Sequence, residues 1–161
     1  GFSIAGATLV GQHLGAGNPD QAKRAGWGAM RLSIISMTFF GILIAVFAQP
    51  LARFMIDNDE VVRLSVIFIW LLGSMQPLMA IEFSLGGALR GAGDTKTPLA
   101  ITLTCLLFIR VFLAVIFFLL DASIEIIFST LVADYVVKGF LYVSRFRSDK
   151  WMNALQSKEA S

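Results

Sequence analysis

Three long runs almost without charge constrain this chain most. Residues 32–48 and 64–81 contain no charged side chain over 17 and 18 positions, and residues 99–120 contain one, Arg110, over 22. A helix needs about 20 mostly apolar residues to cross a bilayer. Charged residues make up only 15% of the chain, against roughly 25% in soluble domains, and the mean hydropathy is +0.76. We therefore predict an all-α, polytopic membrane helix bundle.

The hydropathy pattern predicts about four complete transmembrane helices after a truncated first one. Residues 1–14 are apolar but too short to cross, so we expect a fragment that begins partway through a helix. Pro77 lies near the middle of the second complete span and should bend it, because proline removes a helical hydrogen bond. The complete spans are predicted at about residues 32–47, 62–90, 99–120 and 126–144, with an amphipathic lead-in at 21–31, a polar connection at 52–63 and an acidic turn at 121–125.

The connections before the first and third complete spans share one motif. Residues 11–18 and 87–94 both read G-x-x-x-G-A-G-[N/D], 76 positions apart. Gly93 is placed to supply the left-handed residue that ends a helix, and Pro98 suits the first turn of the next. Glycines four apart share a helix face and allow close approach of a neighbouring helix. We therefore predict hinge and packing roles for Gly11, Gly15, Gly17, Gly87, Arg90, Gly91, Gly93 and Asp94.

Cations are distributed unequally between the two sides of the predicted bundle. Nine lie on the side of the two glycine motifs and the C-terminal tail, and only Arg53 and Arg63 lie on the other. The nine are Lys23, Arg24, Arg31, Arg90, Lys96, Arg145, Arg147, Lys150 and Lys158. Since cytoplasmic loops carry the excess of Lys and Arg, we predict that both motifs and the C-terminus are cytoplasmic.

Four charged residues lie within the predicted spans: Glu82, Arg110, Asp134 and Lys138. Each costs about 2.5–3.5 kcal/mol to insert, so each should face protein or a water-filled cavity. Arg110 and Asp134 lie at a similar depth, about 16 Å from the cytoplasmic edge at 1.5 Å per residue, and we predict a structural ion pair between them. Lys138, one turn from Asp134, could share that carboxylate. Glu82 is either a cation or proton site or a hydrogen-bonded carboxyl.

Several function classes find no support in the residues. The chain has one histidine and one cysteine, Cys105, so no metal-ligand cluster, cofactor or internal disulfide is predicted. No nucleophile–base constellation can be argued, and enzyme activity is not expected. The net charge of +2 is too small to indicate nucleic acid as a partner.

The glycine motifs resemble those of the multidrug and toxic compound extrusion (MATE) transporters. The resemblance rests on residues 9–18 with Ala22 and Gly26, and on residues 89–95 with Pro98. It implies twelve membrane helices in two lobes, of which residues 1–144 are a partial C-terminal lobe and 145–161 a cytoplasmic polar tail. It also implies antiport in a plasma (inner) membrane, with Na⁺ or H⁺ as coupling ion and small amphipathic, often cationic compounds as substrates. The partners would be the missing N-terminal lobe and the lipid bilayer.

The chain departs from the family pattern at one position. Some branches of the family carry a functional acid eleven residues before the arginine of the Leu-Arg-Gly motif, where this chain has Met79. Glu82 lies three residues later and is not the same site by position. Two other functions stay open at this point: a lipid-linked sugar flippase with a related bundle, and a non-transporting membrane scaffold.

Overall fold

The structure, a computed structural model, describes residues 1–55, 57–120 and 124–152, without the side chains of 124–129. These residues form six helices and contain no strand. The helices are α1 (Phe2–Gly15), α2 (Pro19–Val46), α3 (Ala48–Met55), α4 (Asp59–Gly91), α5 (Lys96–Leu119) and α6 (Ile124–Arg147).

The predicted all-α membrane bundle is confirmed. Within the described ranges, α2, α4 and α5 are long and apolar enough to cross a membrane, with 28, 33 and 24 residues. The predicted fourth span is also helical, as the 24 residues of α6. α6 is less apolar because it carries Asp134 and Lys138.

The helix boundaries differ from the predicted ones around α2 and α3. The expected lead-in at residues 21–31 is continuous with the first span, because Pro19 begins α2 in the first-turn position that proline tolerates. The expected connection at 52–63 is partly helical: α3 buries Ala48 and Ala52, one turn apart, and Pro50 lies in its first turn. α4 then begins where the Asn58 side chain accepts hydrogen bonds from two backbone amides.

α4 is the central helix and contacts α1, α2, α3, α5 and α6. It crosses α2 at two facing glycines, where a Cβ built on Gly41 would lie 2.9 Å from the carbonyl oxygen of Gly73. That carbonyl has no amide partner one turn later, since the residue there is Pro77. α5 contains a π-helical segment, Cys105–Val111, and this segment packs against α6. Such segments are rare and often lie near functional sites.

The buried core lies at the end of the bundle that holds both glycine motifs. Its members are Val10, Ala22, Leu85, Ala88, Leu89, Ala92, Tyr142, Phe146 and Trp151. Trp151 is fully buried, stacks on Phe146 with ring centroids 4.6 Å apart, and donates its indole N–H to the Phe146 carbonyl at 2.8 Å. The predicted boundary between residues 144 and 145 therefore falls inside α6, and the start of the expected tail belongs to the core. Residues 153–161 lie outside the described ranges.

Candidate functional site

The two glycine motifs form the same type of helix end. After α1, the amides of Gly17 and Asn18 donate to the carbonyls of Leu14 and His13. After α4, the amides of Gly93 and Asp94 donate to the carbonyls of Arg90 and Leu89. Gly17 and Gly93 have φ of +74° and +84°, the left-handed conformation that this pattern requires. The hinge geometry predicted for Gly17 and Gly93 is therefore present in the structure.

The glycines of the second motif bring α1 and α4 into backbone contact. A Cβ on Gly87 would overlap the backbone of Ser3, and a Cβ on Gly91 would overlap the backbone of Ala7. From the other side, a Cβ on Gly11 would lie 3.0 Å from the Gly91 carbonyl oxygen. Close packing was predicted from the four-residue spacing, and these contacts agree with it.

Gly15 and Arg90 take other positions than the packing prediction implies. A Cβ on Gly15 would meet no atom within 4 Å among the described residues, so the close contact expected there is missing. Gly15 is the last residue of α1, one turn past Gly11. Gly11 faces Gly91, where α4 ends, so α4 does not extend as far as Gly15. Arg90 is exposed and donates a hydrogen bond to the Ser3 hydroxyl at 3.1 Å.

Asp94 ties the turn after α4 to the end of α6. One carboxylate oxygen accepts from Nε and Nη2 of Arg145 at 3.0 and 2.7 Å, and the other accepts from the Thr97 amide at 3.2 Å. Asp94 is buried. Burial alone would raise the pKa of the Asp94 carboxyl, but the hydrogen bonds from Arg145 and Thr97 outweigh it and hold that pKa below its ordinary value.

Acidification should therefore weaken this connection. Because the pKa of Asp94 is lowered in the folded state, its stabilisation is present above the ordinary carboxyl pKa and is lost as the pH falls through the folded-state value. Asp94→Asn should cost about 1.5–3 kcal/mol near neutral pH and flatten the acid limb of a plot of thermal stability against pH. Asp57→Asn, at an exposed aspartate outside the helices, is the control. An unchanged acid limb in Asp94→Asn would contradict the assignment.

Three of the four predicted intramembrane charges meet between α4 and α6. Lys138 Nζ lies 2.8 Å from Asp134 Oδ2 and 3.8 Å from Glu82 Oε1. The Asp134 side chain is fully buried, and those of Lys138 and Glu82 are 6% and 13% exposed. We call these three residues the polar triad. Lys138 also lies over the ring of Tyr135, 5.2 Å from its centroid.

The predicted ion pair between Arg110 and Asp134 is wrong. Asp134 pairs with Lys138 on its own helix, and Arg110 forms no ion pair within the described part of the chain. Arg110 is exposed and lies in an outer groove of apolar residues on the π-helical segment and the turns after it. The expected common depth did not bring Arg110 and Asp134 together, although Arg110 interacts electrostatically with Tyr135 of α6.

The polar triad has unused hydrogen-bonding capacity. Oε2 of Glu82 and Oδ1 of Asp134 are buried and have no hydrogen-bond partner among the described residues. Two carboxylates and one ammonium carry one net negative charge when all are ionised. The arrangement can therefore take up one further positive charge, such as a proton. Among the described residues, no group of three or more His, Cys, Asp or Glu could hold a metal ion.

Sequence reasoning missed two contacts and one buried side chain of this region. The Lys138–Glu82 contact and the Asp94–Arg145 pair join positions 56 and 51 residues apart, and no local pattern indicates them. The burial of Trp151 was not predicted, because most of the residues around it in the sequence are polar. The Asp134–Lys138 spacing of four residues was the one available signal, since such residues are neighbours on a helix.

The comparisons with known proteins agree on one family. The MatE family model matches residues 1–116. A probable multidrug resistance protein NorM of Thermotoga maritima is 33% identical over 160 residues, 94% of this chain and 33% of that protein. Protein DETOXIFICATION 49 of Arabidopsis thaliana is 32% identical over 117 residues, 71% of this chain and 23% of that protein. Multidrug and toxin extrusion protein 1 of Xenopus tropicalis is 31% identical over 96 residues, 60% of this chain and 17% of that protein.

The chain spans a third or less of the length of these relatives. No solved structure gives a significant match. The family match covers more than two thirds of the chain and includes α1 to α4 with both glycine motifs. Together with three helices long and apolar enough to cross a bilayer, it shows that the chain is a multi-pass membrane protein of the MatE family.

Proposed function

We propose that this chain is part of a secondary active antiporter that exports drugs or other amphipathic, often cationic compounds in exchange for Na⁺ or H⁺. Family membership and the names of the multidrug resistance and toxin extrusion relatives support export of such compounds. The observation that carries ion coupling is the polar triad, a buried group of opposite charges between two membrane helices. Ionisable residues at this depth are costly and commonly mark ion or proton pathways.

The proposal requires a second lobe outside this chain. A transporter that alternates between two open states rocks one helix bundle against another around a central site. Three of the described helices are long and apolar enough to cross a bilayer, fewer than the six of one lobe that the resemblance implies. The relatives are at least three times as long as the segments that match. We therefore propose the N-terminal lobe of the same transporter as the partner, with the bilayer around both.

We propose a plasma (inner) membrane location with the C-terminus in the cytoplasm, and the cation distribution supports this orientation. Lys23, Arg90, Lys96 and Arg145 lie at the end of the bundle that holds both helix-ending glycines and the buried Trp151. Cysteine labelling in a Cys105→Ser background tests the orientation. An impermeant reagent added outside the cell should not label a cysteine at Asn18, which is exposed in the first motif. Labelling from outside would reverse the assignment.

Transport by the complete protein tests the function. In proteoliposomes that contain the full-length transporter, an imposed Na⁺ or pH gradient should drive accumulation of ethidium, an amphipathic cation. Residues 1–161 alone should show no gradient-driven uptake, because one partial lobe cannot alternate around a site. Lack of ethidium transport by the full-length protein in both gradients would contradict the proposal.

A further inference from the structure

Lys138 contacts the two carboxylates of the polar triad at different distances. This difference identifies the carboxyl group that can exchange a proton. Asp134 is fully buried and holds Lys138 at 2.8 Å, a short charge-assisted contact within one helix. Glu82 lies on a different helix, its nearer oxygen is 3.8 Å from the ammonium, and its side chain is partly exposed. A separation of 3.8 Å is too long for a direct hydrogen bond. Lys138 is therefore bound to Asp134 and only attracted by Glu82.

We propose that Glu82 is the site of one exchangeable proton, and that Lys138, anchored on Asp134, moves toward Glu82 when this proton leaves and away when it returns. The proposal deepens the antiporter function and rests on it. In the step, the O–H bond of Glu82 breaks and the proton passes to water on one side of the membrane. The Glu82 carboxylate is then stabilised by the Lys138 ammonium, so that the charged form has a partner across the α4–α6 contact.

The local surroundings favour a proton over a metal cation. A bare cation needs several oxygen ligands, and the buried carboxylate oxygens of Glu82 and Asp134 lie beside the Lys138 ammonium, which would repel it. A proton needs one oxygen and no coordination shell. It also cancels the one net negative charge that two carboxylates and one ammonium leave in the membrane interior.

The groups that interact electrostatically with Glu82 come from three helices. Asp134, Tyr135, Lys138 and Tyr142 lie on α6, Cys105 lies on the π-helical segment of α5, and Arg90 lies eight residues along α4. The Tyr135 ring, 5.2 Å from Lys138 Nζ, gives the ammonium a second favourable contact when Glu82 is neutral. The Lys138 ammonium therefore has a favourable contact both when Glu82 is charged and when Glu82 is neutral.

The test compares Glu82→Gln with Glu60→Gln in the full-length transporter. Both substitutions neutralise a glutamate of α4, but Glu60 is exposed in the first turn. In proteoliposomes, Glu82→Gln should reduce pH-gradient-driven ethidium transport by at least about tenfold, a coupling typical of linked sites. Exchange of ethidium without any gradient should persist in this variant, because substrate binding does not need the proton. Glu60→Gln should behave as the wild type in both assays.

Each other outcome separates the proton site from the transport function. Undiminished pH-driven transport in Glu82→Gln would overturn the proton site. The proton site would also be overturned if a Na⁺ gradient, and not a pH gradient, drives transport by the wild-type protein. Both results would leave the antiporter proposal in place. Absence of ethidium transport by the wild type in either gradient contradicts the antiporter itself. If Glu82→Gln fails to fold, Glu82→Asp decides: a shifted pH profile of transport supports the assignment, and a wild-type profile overturns it.

Discussion

Lys138→Met should destabilise the transporter by about 3–5 kcal/mol, because it leaves two carboxylates without their shared cation in a buried site. Asp134 is fully buried and has no other cation among its described contacts, so water cannot replace the ammonium. The double variant Asp134→Asn/Lys138→Met should recover more than half of the loss, since it removes the unpaired charge together with its partner. Unfolding of the purified full-length wild type, of Lys138→Met, of Asp134→Asn and of the double variant measures the free energies of this double-mutant cycle.

Arg110→Met is the matched control for this cycle. It removes a cation of similar length from a neighbouring helix, but Arg110 is exposed and has no carboxylate partner within the described ranges. We expect no destabilisation, because this substitution leaves no carboxylate unpaired. If Lys138→Met and Arg110→Met cost the same, or if the Asp134 and Lys138 losses simply add, the polar triad is not the coupled unit that the geometry indicates.

Gly91→Ala should cost about 1–3 kcal/mol, although it adds only one methyl group. The new Cβ would overlap the backbone of Ala7 on α1, and a backbone cannot change rotamer to make room. The two helices would have to separate, which would also loosen the contacts at Gly11 and Gly87. The thermal unfolding temperature and the yield of folded full-length protein should both fall.

Gly28→Ala is the control for the glycine contact. Gly28 is also helical, but a Cβ there would meet no atom within 4 Å among the described residues. Because alanine is a better helix former by about 1 kcal/mol, this variant should be neutral or slightly stabilised. Equal effects of Gly28→Ala and Gly91→Ala would show that the α1–α4 approach is less tight than the structure has it.

Local sequence determined the helices and their ends. The apolar runs alone predict the spans, since a bilayer leaves the backbone no other way to satisfy its hydrogen bonds than helix or closed barrel. The turns after α1 and α4 follow from four or five consecutive residues, and so both left-handed glycines could be placed before the fold was known. The predicted helix boundaries were wrong where a run was polar but amphipathic. The example is α3, which buries Ala48 and Ala52 and packs against α4.

Only the tertiary structure decided which charges meet. Hydropathy reports how deep a residue lies in the membrane but not the rotation of its helix, and Arg110 and Asp134 at one depth point to different neighbours. Glu82 joins Lys138, and Asp94 joins Arg145, because the C-terminal part of α4 packs against α6. The family resemblance predicted the fold but did not predict these ion pairs. The sequence therefore determined the helices, their turns and the family, and helix packing decided the polar triad, since rotation about a helix axis is set by the neighbours and not by the helix itself.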